Sequence, residues 1–129
     1  MDAKYEALFT PWKIGNVEIK NRIVMCPMGG TSLFGWFELG GCHFDKEAAK
    51  LFLERANNNV GLIIPGIAPL RDTFWGKWLW QNPKMFEELK VFMDEIHKTG
   101  AKLFVQLTAG MGRSWAITEL VAPLHKNKF

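Results

Sequence analysis

Arg22-Ile23-Val24-Met25-Cys26 is a short apolar run closed by Pro27. Its length and its Ile/Val content fit a strand buried on both faces, the kind found in parallel sheets. Two further runs repeat the pattern: Val60 to Ile64, stopped by Pro65-Gly66, and Lys102 to Leu107, reading KLFVQL and followed by a loop at Gly110 to Gly112. Helical periodicity fills the first interval, with Ala48, Leu51, Phe52 and Arg55 to Ala56 on one face. Asp45 is its expected N-cap, and Asn57-Asn58-Asn59 its end. In the second interval Asn82-Pro83 starts a helix, an N-cap followed by proline at the first helical position. Phe86, Leu89, Phe92, Met93 and Ile96 then form an apolar stripe, and Gly100 supplies the left-handed stop. Upstream, WKIGNVEIK (residues 12–20) alternates apolar residues around Gly15-Asn16, which predicts a β-hairpin.

The order is therefore hairpin, strand, helix, strand, helix, strand, then an irregular tail. Strands alternating with single helices argue for parallel βαβ units in an α/β fold. An open doubly wound sheet and a barrel both satisfy that order. A free-standing parallel sheet of three strands needs helices on both faces, and only two helices are visible, so the fold is expected to be unfinished. The connections are aromatic: Gly29 to Gly41 holds Phe34, Trp36 and Phe37, and Ala68 to Gln81 holds Trp75, Trp78 and Trp80. Those tryptophans suit either a substrate wall or packing against further protein.

Composition narrows the function classes. The 129 residues suit one small domain, and 48% apolar with 22% charged residues is a globular balance. The net charge of +3 is spread without a basic run, unlike a nucleic-acid reader. Cys26 and Cys42 have no CxxC partner and the three His lie far apart, so neither a disulfide framework nor a metal site is expected. The start MDAKYEALF lacks an apolar core segment for a signal peptide, and no run approaches the ~20 apolar residues of a membrane span. A cytoplasmic protein of a reducing compartment is the expectation.

In both candidate architectures ligands sit at the carboxyl ends of the parallel strands. The residues there are Cys26 to Gly30, Pro65 to Ala68, and Gln106 to Thr108 with Gly110, Gly112 and Arg113 beyond. The set is rich in Gly and Pro, so backbone can approach a flat ligand closely. Gln106 is an amide in an otherwise apolar strand. If buried it needs partners, since leaving it unpaired costs about 1–3 kcal/mol. A heteroaromatic ring with alternating N–H and C=O groups would satisfy it, and so would neighbouring backbone. Neither GxGxxG nor a Walker-type loop is present, so no local phosphate cradle is visible. His97 reads as a surface residue at a helix C-terminus. Cys26 ends its strand on the presumed rim, and an inert core thiol is favoured over a reactive one.

LFTPWKIGNVEIKNRIVMCPMGG (residues 8–30), VGLIIPGIAP (60–69) and KLFVQLTAGMGR (102–113) together resemble the opening of Old Yellow Enzyme-type flavin reductases. The three blocks stand in family order and spacing and cover almost the whole chain. The Pro-Met-Gly form and LVAP (Leu120 to Pro123) look closest to the 2-enoate reductase and 2,4-dienoyl-CoA reductase branch. The resemblance implies the N-terminal portion of a (β/α)8 TIM barrel, about three βα units plus a leading hairpin. Residues 1–129 would then be an incomplete FMN-binding domain. It implies FMN as cofactor, with Pro27, Met28 and Gly29 lining the ring, Gly66 approaching from the second strand, and Gln106 bonded to its polar edge. It implies NAD(P)H as reductant and an enoate or enoyl-CoA as substrate. FAD and a 4Fe–4S cluster belong to later parts of the long relatives.

The match departs from the family after the third strand. Thr108 to Arg113 lacks the family's histidine, so no role passes to Thr108 or Ala109. The proton donor, the substrate-anchoring pair and the phosphate site belong to later strands, so no catalytic residue is expected in this chain and it should be inactive alone. A non-catalytic piece that self-associates through open sheet edges is the alternative to an enzyme piece that needs a complementing chain. An independent small-ligand binder is disfavoured, because three strands cannot enclose a ring-sized ligand.

Overall fold

A computed structural model describes residues 2–28, 33, 34, 43–69 and 82–108. A 3-10 helix, Ala3–Phe9, leads into the hairpin β1 (Trp12–Ile14) and β2 (Val17–Ile19). Then follow β3 (Val24–Met25), helix α1 (Lys46–Asn57), β4 (Leu62–Ile63), β5 (Ile67–Pro69), helix α2 (Pro83–Lys98), β6 (Lys102–Leu103) and β7 (Gln106–Thr108).

Local chemistry explains most boundaries. In the hairpin Ile14 pairs with Val17, so Gly15-Asn16 is the whole loop, and Gly15 takes φ 56° at its first position. That is where a two-residue hairpin turn favours glycine. The Asp45 carboxylate caps α1 by accepting from the backbone N–H groups of Glu47 and Ala48, both at 2.9 Å. Pro83 occupies the first turn of α2, and Gly100 leaves that helix at φ 78°.

The strands of the central sheet are parallel and ordered β3-β4-β6, with β4 in the middle. Level positions share a face. Met25, Ile63 and Leu103 form one row, and Val24, Leu62 and Lys102 the other. The first row faces the helices. Ile63 is fully buried with Phe52 and Ala56 of α1 and Met85, Phe92 and Ile96 of α2, and Met25 and Leu103 pack on the edge of that cluster. Val24 is level with Leu62, so Ile63 turns to the helices.

The helix stripes keep the expected Phe52, Ala56, Phe92 and Ile96 in the core and differ from expectation at single positions. Ala49, Phe52 and Ala56 are the buried residues of α1, and Met85 replaces Phe86 at the start of α2, where Phe86 is 44% exposed. A second correction concerns Pro65-Gly66, which interrupts the second strand without ending it. Pairing resumes as β5 against β7, Ile67 level with Gln106 and Ala68 with Leu107. Residues 64–66 separate the paired positions Ile63 and Ile67, but only 104 and 105 separate Leu103 from Gln106. One extra residue on the middle strand makes this a bulge, which bends the strand and interrupts the ladder. Pro65 has no N–H to give a ladder and suits that place.

Candidate active-site rim

Two sets of residues terminate the parallel strands, and only one is a candidate for chemistry. At the amino ends the side chains are tied to other parts of the chain. Asn21, 4% exposed, donates from Nδ2 to the Asn59 carbonyl at 2.7 Å, and its Oδ1 accepts from Ile23 N–H at 3.0 Å. The Trp12 indole donates to the Asn21 carbonyl at 2.7 Å. Lys20 Nζ donates to the carbonyl of Thr99, the C-cap of α2, at 2.7 Å, and Arg22 Nε donates to Thr10 Oγ1 at 3.0 Å. Every one of these groups has a structural partner.

The carboxyl ends carry the residues picked out from sequence. Cys26 and Pro27, just past β3, are exposed, and Met28 is 54% exposed. The Cys26 thiol is free and does not enter the core, against the inert-core expectation, because β3 stops at Met25. Gly66 is buried within the bulge of the middle strand. Gln106 opens β7 level with Ile67, so Gly66 lies one residue from its direct partner across the ladder. The amide is exposed in this structure, so burial imposes no need for a partner here. Ile64 N–H donates to the Met25 carbonyl at 2.9 Å, which carries the β3–β4 ladder to the edge of the rim. Pro27, Met28, Gly66 and Gln106 are thereby brought to one end of neighbouring strands. Gly29, Cys42, Trp75, Trp78, Trp80, Gly110, Gly112 and Arg113 lie outside the described residues.

Among the described residues the rim has no charged side chain. Val105 is 42% and Leu107 55% exposed, on either side of Gln106. Sequence reasoning placed Leu107 among the strand-end residues and missed Val105, which precedes Gln106 in KLFVQL. The result is an apolar ledge with one primary amide and a glycine backbone beside it. An amide offers two donors and an acceptor. That donor set fits the edge of a neutral flat heteroaromatic ring, and the apolar residues fit its faces. Among the described residues no three His, Cys, Asp or Glu side chains gather to hold a metal ion, and no helix is long and apolar enough to cross a membrane.

Residues 7–124 match the model of the NADH:flavin oxidoreductase / NADH oxidase family. The chain belongs to that family. Its relatives include a cinnamate reductase from Clostridium sporogenes, 37% identical over 88% of this chain and 17% of the relative's length. An NADPH dehydrogenase from Listeria welshimeri is 30% identical over 90% of this chain and 34% of the relative. The chain therefore spans between about a sixth and a third of these relatives. Among solved structures, an Old Yellow Enzyme from Pichia superposes with a TM-score of 0.60 at 26% identity, over 92% of this chain and 30% of that one. A 2-naphthoyl-CoA reductase also superposes with a TM-score of 0.60, at 24% identity over 80% of this chain and 16% of that one. The hairpin and the parallel strands are the leading units of a (β/α)8 barrel, and the described elements do not close it.

Proposed function

We propose that this chain forms the N-terminal part of an FMN-dependent ene-reductase, one that reduces the C=C bond of α,β-unsaturated acids or enoyl thioesters with NAD(P)H. Within it, residues 1–129 would be the opening of the FMN-binding barrel domain. The observation that carries the reading is the pairing of β5 with β7, which sets Gly66 beside Gln106 at the carboxyl end of the strands. The kinship with a cinnamate reductase, named for an unsaturated acid, supports the substrate class. When bound, FMN would supply the hydride delivered to the β-carbon of the alkene. Pro27, Met28 and Gly29 would line the ring, the Gly66 backbone would approach it closely, and the Gln106 amide would hold its polar edge. The parent protein would add the proton donor from later strands, with FAD and a 4Fe–4S cluster in its later parts as in long enoate reductases.

Titrating FMN into the chain tests the assignment of the rim. The expected result is a shift of the flavin absorption band with quenching of its fluorescence, weakened roughly tenfold by Gln106→Ala, the worth of about one hydrogen bond to a polar ligand. Lys13→Ala, on the hairpin, should leave the titration unchanged. Binding that ignores Gln106→Ala would remove that amide from the flavin site. No turnover of an enoate is expected from the chain alone.

A second reading rests on the sheet edges. Among the described residues β3 and β6 are the outer strands of the central sheet, each with one unpaired side. Such edges recruit further strands, either a complementing chain or another copy.

A further inference from the structure

The helix layer carries a groove that the flavin reading does not use. It lies between α1 and α2 and has a volume of about 200 Å³. Phe44, Ala49, Leu53, Val91 and Phe92 form its apolar lining. The Phe44 and Phe92 rings meet there at 5.7 Å, tilted by 55°. Val91 stands 63% exposed on the α2 wall of the groove.

The two walls differ in sign. Lys46 and Lys50 line the groove from α1, and Glu88 and Glu95 line it from α2. Lys46, Lys50 and Leu53 recur at helical spacing, as do Glu88, Val91 and Glu95, so each wall is a single helix face. Within the chain these walls satisfy each other only in part. Lys46 reaches Glu88 at 3.9 Å, and Lys50 turns instead to Glu47 on its own helix at 2.7 Å.

We propose that a second copy of this chain docks on the groove about a two-fold axis parallel to the helices. Because α1 and α2 both precede strands of one parallel sheet, they run in the same direction. Rotation about such an axis keeps that direction and exchanges left for right. It lays α1 of one copy over α2 of the other, twice. Each lysine wall then meets a glutamate wall, and each Val91 enters the apolar lining opposite. The other two-fold arrangement, with the axis across the helices, sets lysine against lysine and glutamate against glutamate, which is repulsive. The charge pattern therefore selects both the occupant and the orientation. The groove belongs to the helix layer and not to a strand end, so this contact does not depend on what completes the sheet.

Sedimentation of the full chain from micromolar to millimolar concentration reads the association. The mass is expected to double with concentration and to fall back on adding salt, which screens the charged rim. Lys46→Glu with Lys50→Glu makes both walls acidic, and Glu88→Lys with Glu95→Lys makes both basic. Each double variant alone is expected to dimerise roughly tenfold or more weakly. Mixing the two in equal amounts restores both wall pairings, so the doubled mass should return. Circular dichroism of each variant checks that the exposed substitutions leave the helices intact. A chain that stays monomeric throughout overturns the proposal. So does a doubling that ignores both charge reversals, which would place association at the sheet edges, or a mixture of two folded variants that stays monomeric.

Discussion

At the amino ends of the parallel strands, Lys20, Asn21 and Arg22 reach Thr99, Asn59 and Thr10. At the carboxyl ends, Cys26, Pro27, Met28, Val105, Gln106 and Leu107 are all exposed. Residues 20–28 run through both regions in a single stretch of chain. Its first three residues join the hairpin, α1 and α2 turns to the sheet, and its last three stand on the candidate rim. The family-like motif KNRIVMCPM thus has two parts with different physical work. A residue matching a family motif is evidence of kinship, but its position along the strand decides whether it holds the fold or faces a ligand.

The largest effects are expected at the amino end. Asn21→Ala removes the two hydrogen bonds that its buried side chain makes, to the Asn59 carbonyl and from the Ile23 N–H. A loss of about 1–3 kcal/mol follows from the usual worth of two hydrogen bonds, read from urea unfolding. Gly61→Ala tests the same region from the other side. A Cβ at Gly61 would overlap Asn21 Oδ1 and lie 3.0 Å from both Asn21 Cγ and the Asn21 backbone oxygen. Overpacking of this kind costs about 1–3 kcal/mol. Combining the two should give less than the sum, since Asn21→Ala removes the side-chain part of the clash and leaves the backbone part. Strict additivity would mean that Gly61 is constrained by something other than the Asn21 side chain.

Lys20→Ala is expected to be milder, about 0.5–1 kcal/mol. It removes one ammonium from the carbonyl at the C-terminus of α2, where a cation is favoured by the helix dipole. Its effect should shrink with added salt, whereas that of Asn21→Ala should not. Equal salt sensitivity of the two would blur the distinction between a charge held at a helix end and a buried neutral hub.

Much of the fold was legible because its signals are local. Gly15-Asn16, Asp45, Pro83 and Gly100 each act within a few residues, and each marks a turn or helix end where expected. The helix faces held at Phe52, Ala56, Phe92 and Ile96 and differed at single positions: small Ala49 is buried where Leu51 looked the better core residue, and Met85 displaces Phe86. What escaped is set by distance along the chain. Nothing near Asn21 announces that it will bond Asn59, 38 residues away. Pro65-Gly66 looks like a stop locally, and only the register of β5 against β7 shows a bulge. The candidate site was legible as a list of strand ends. Its geometry was not, since the exposure of Cys26 and Gln106 depends on what else covers the rim.

The smallest effect on stability is expected from Gln106→Ala at that rim. Its side chain is exposed, so its loss orphans no buried group, and unfolding should change by no more than about 0.5 kcal/mol. The same substitution is expected to weaken the flavin titration, so the two readouts move apart. That separation is what the contrast between the two ends requires: Asn21→Ala acts on unfolding, and Gln106→Ala acts on the ligand. If Gln106→Ala instead lowers stability as much as Asn21→Ala, the amide is a second structural tie, of the kind that joins Asn21 to Asn59. The carboxyl end would then have to be read as fold-holding like the amino end, and Pro27, Met28 and the Gly66 backbone would be left to account for any flavin the chain retains.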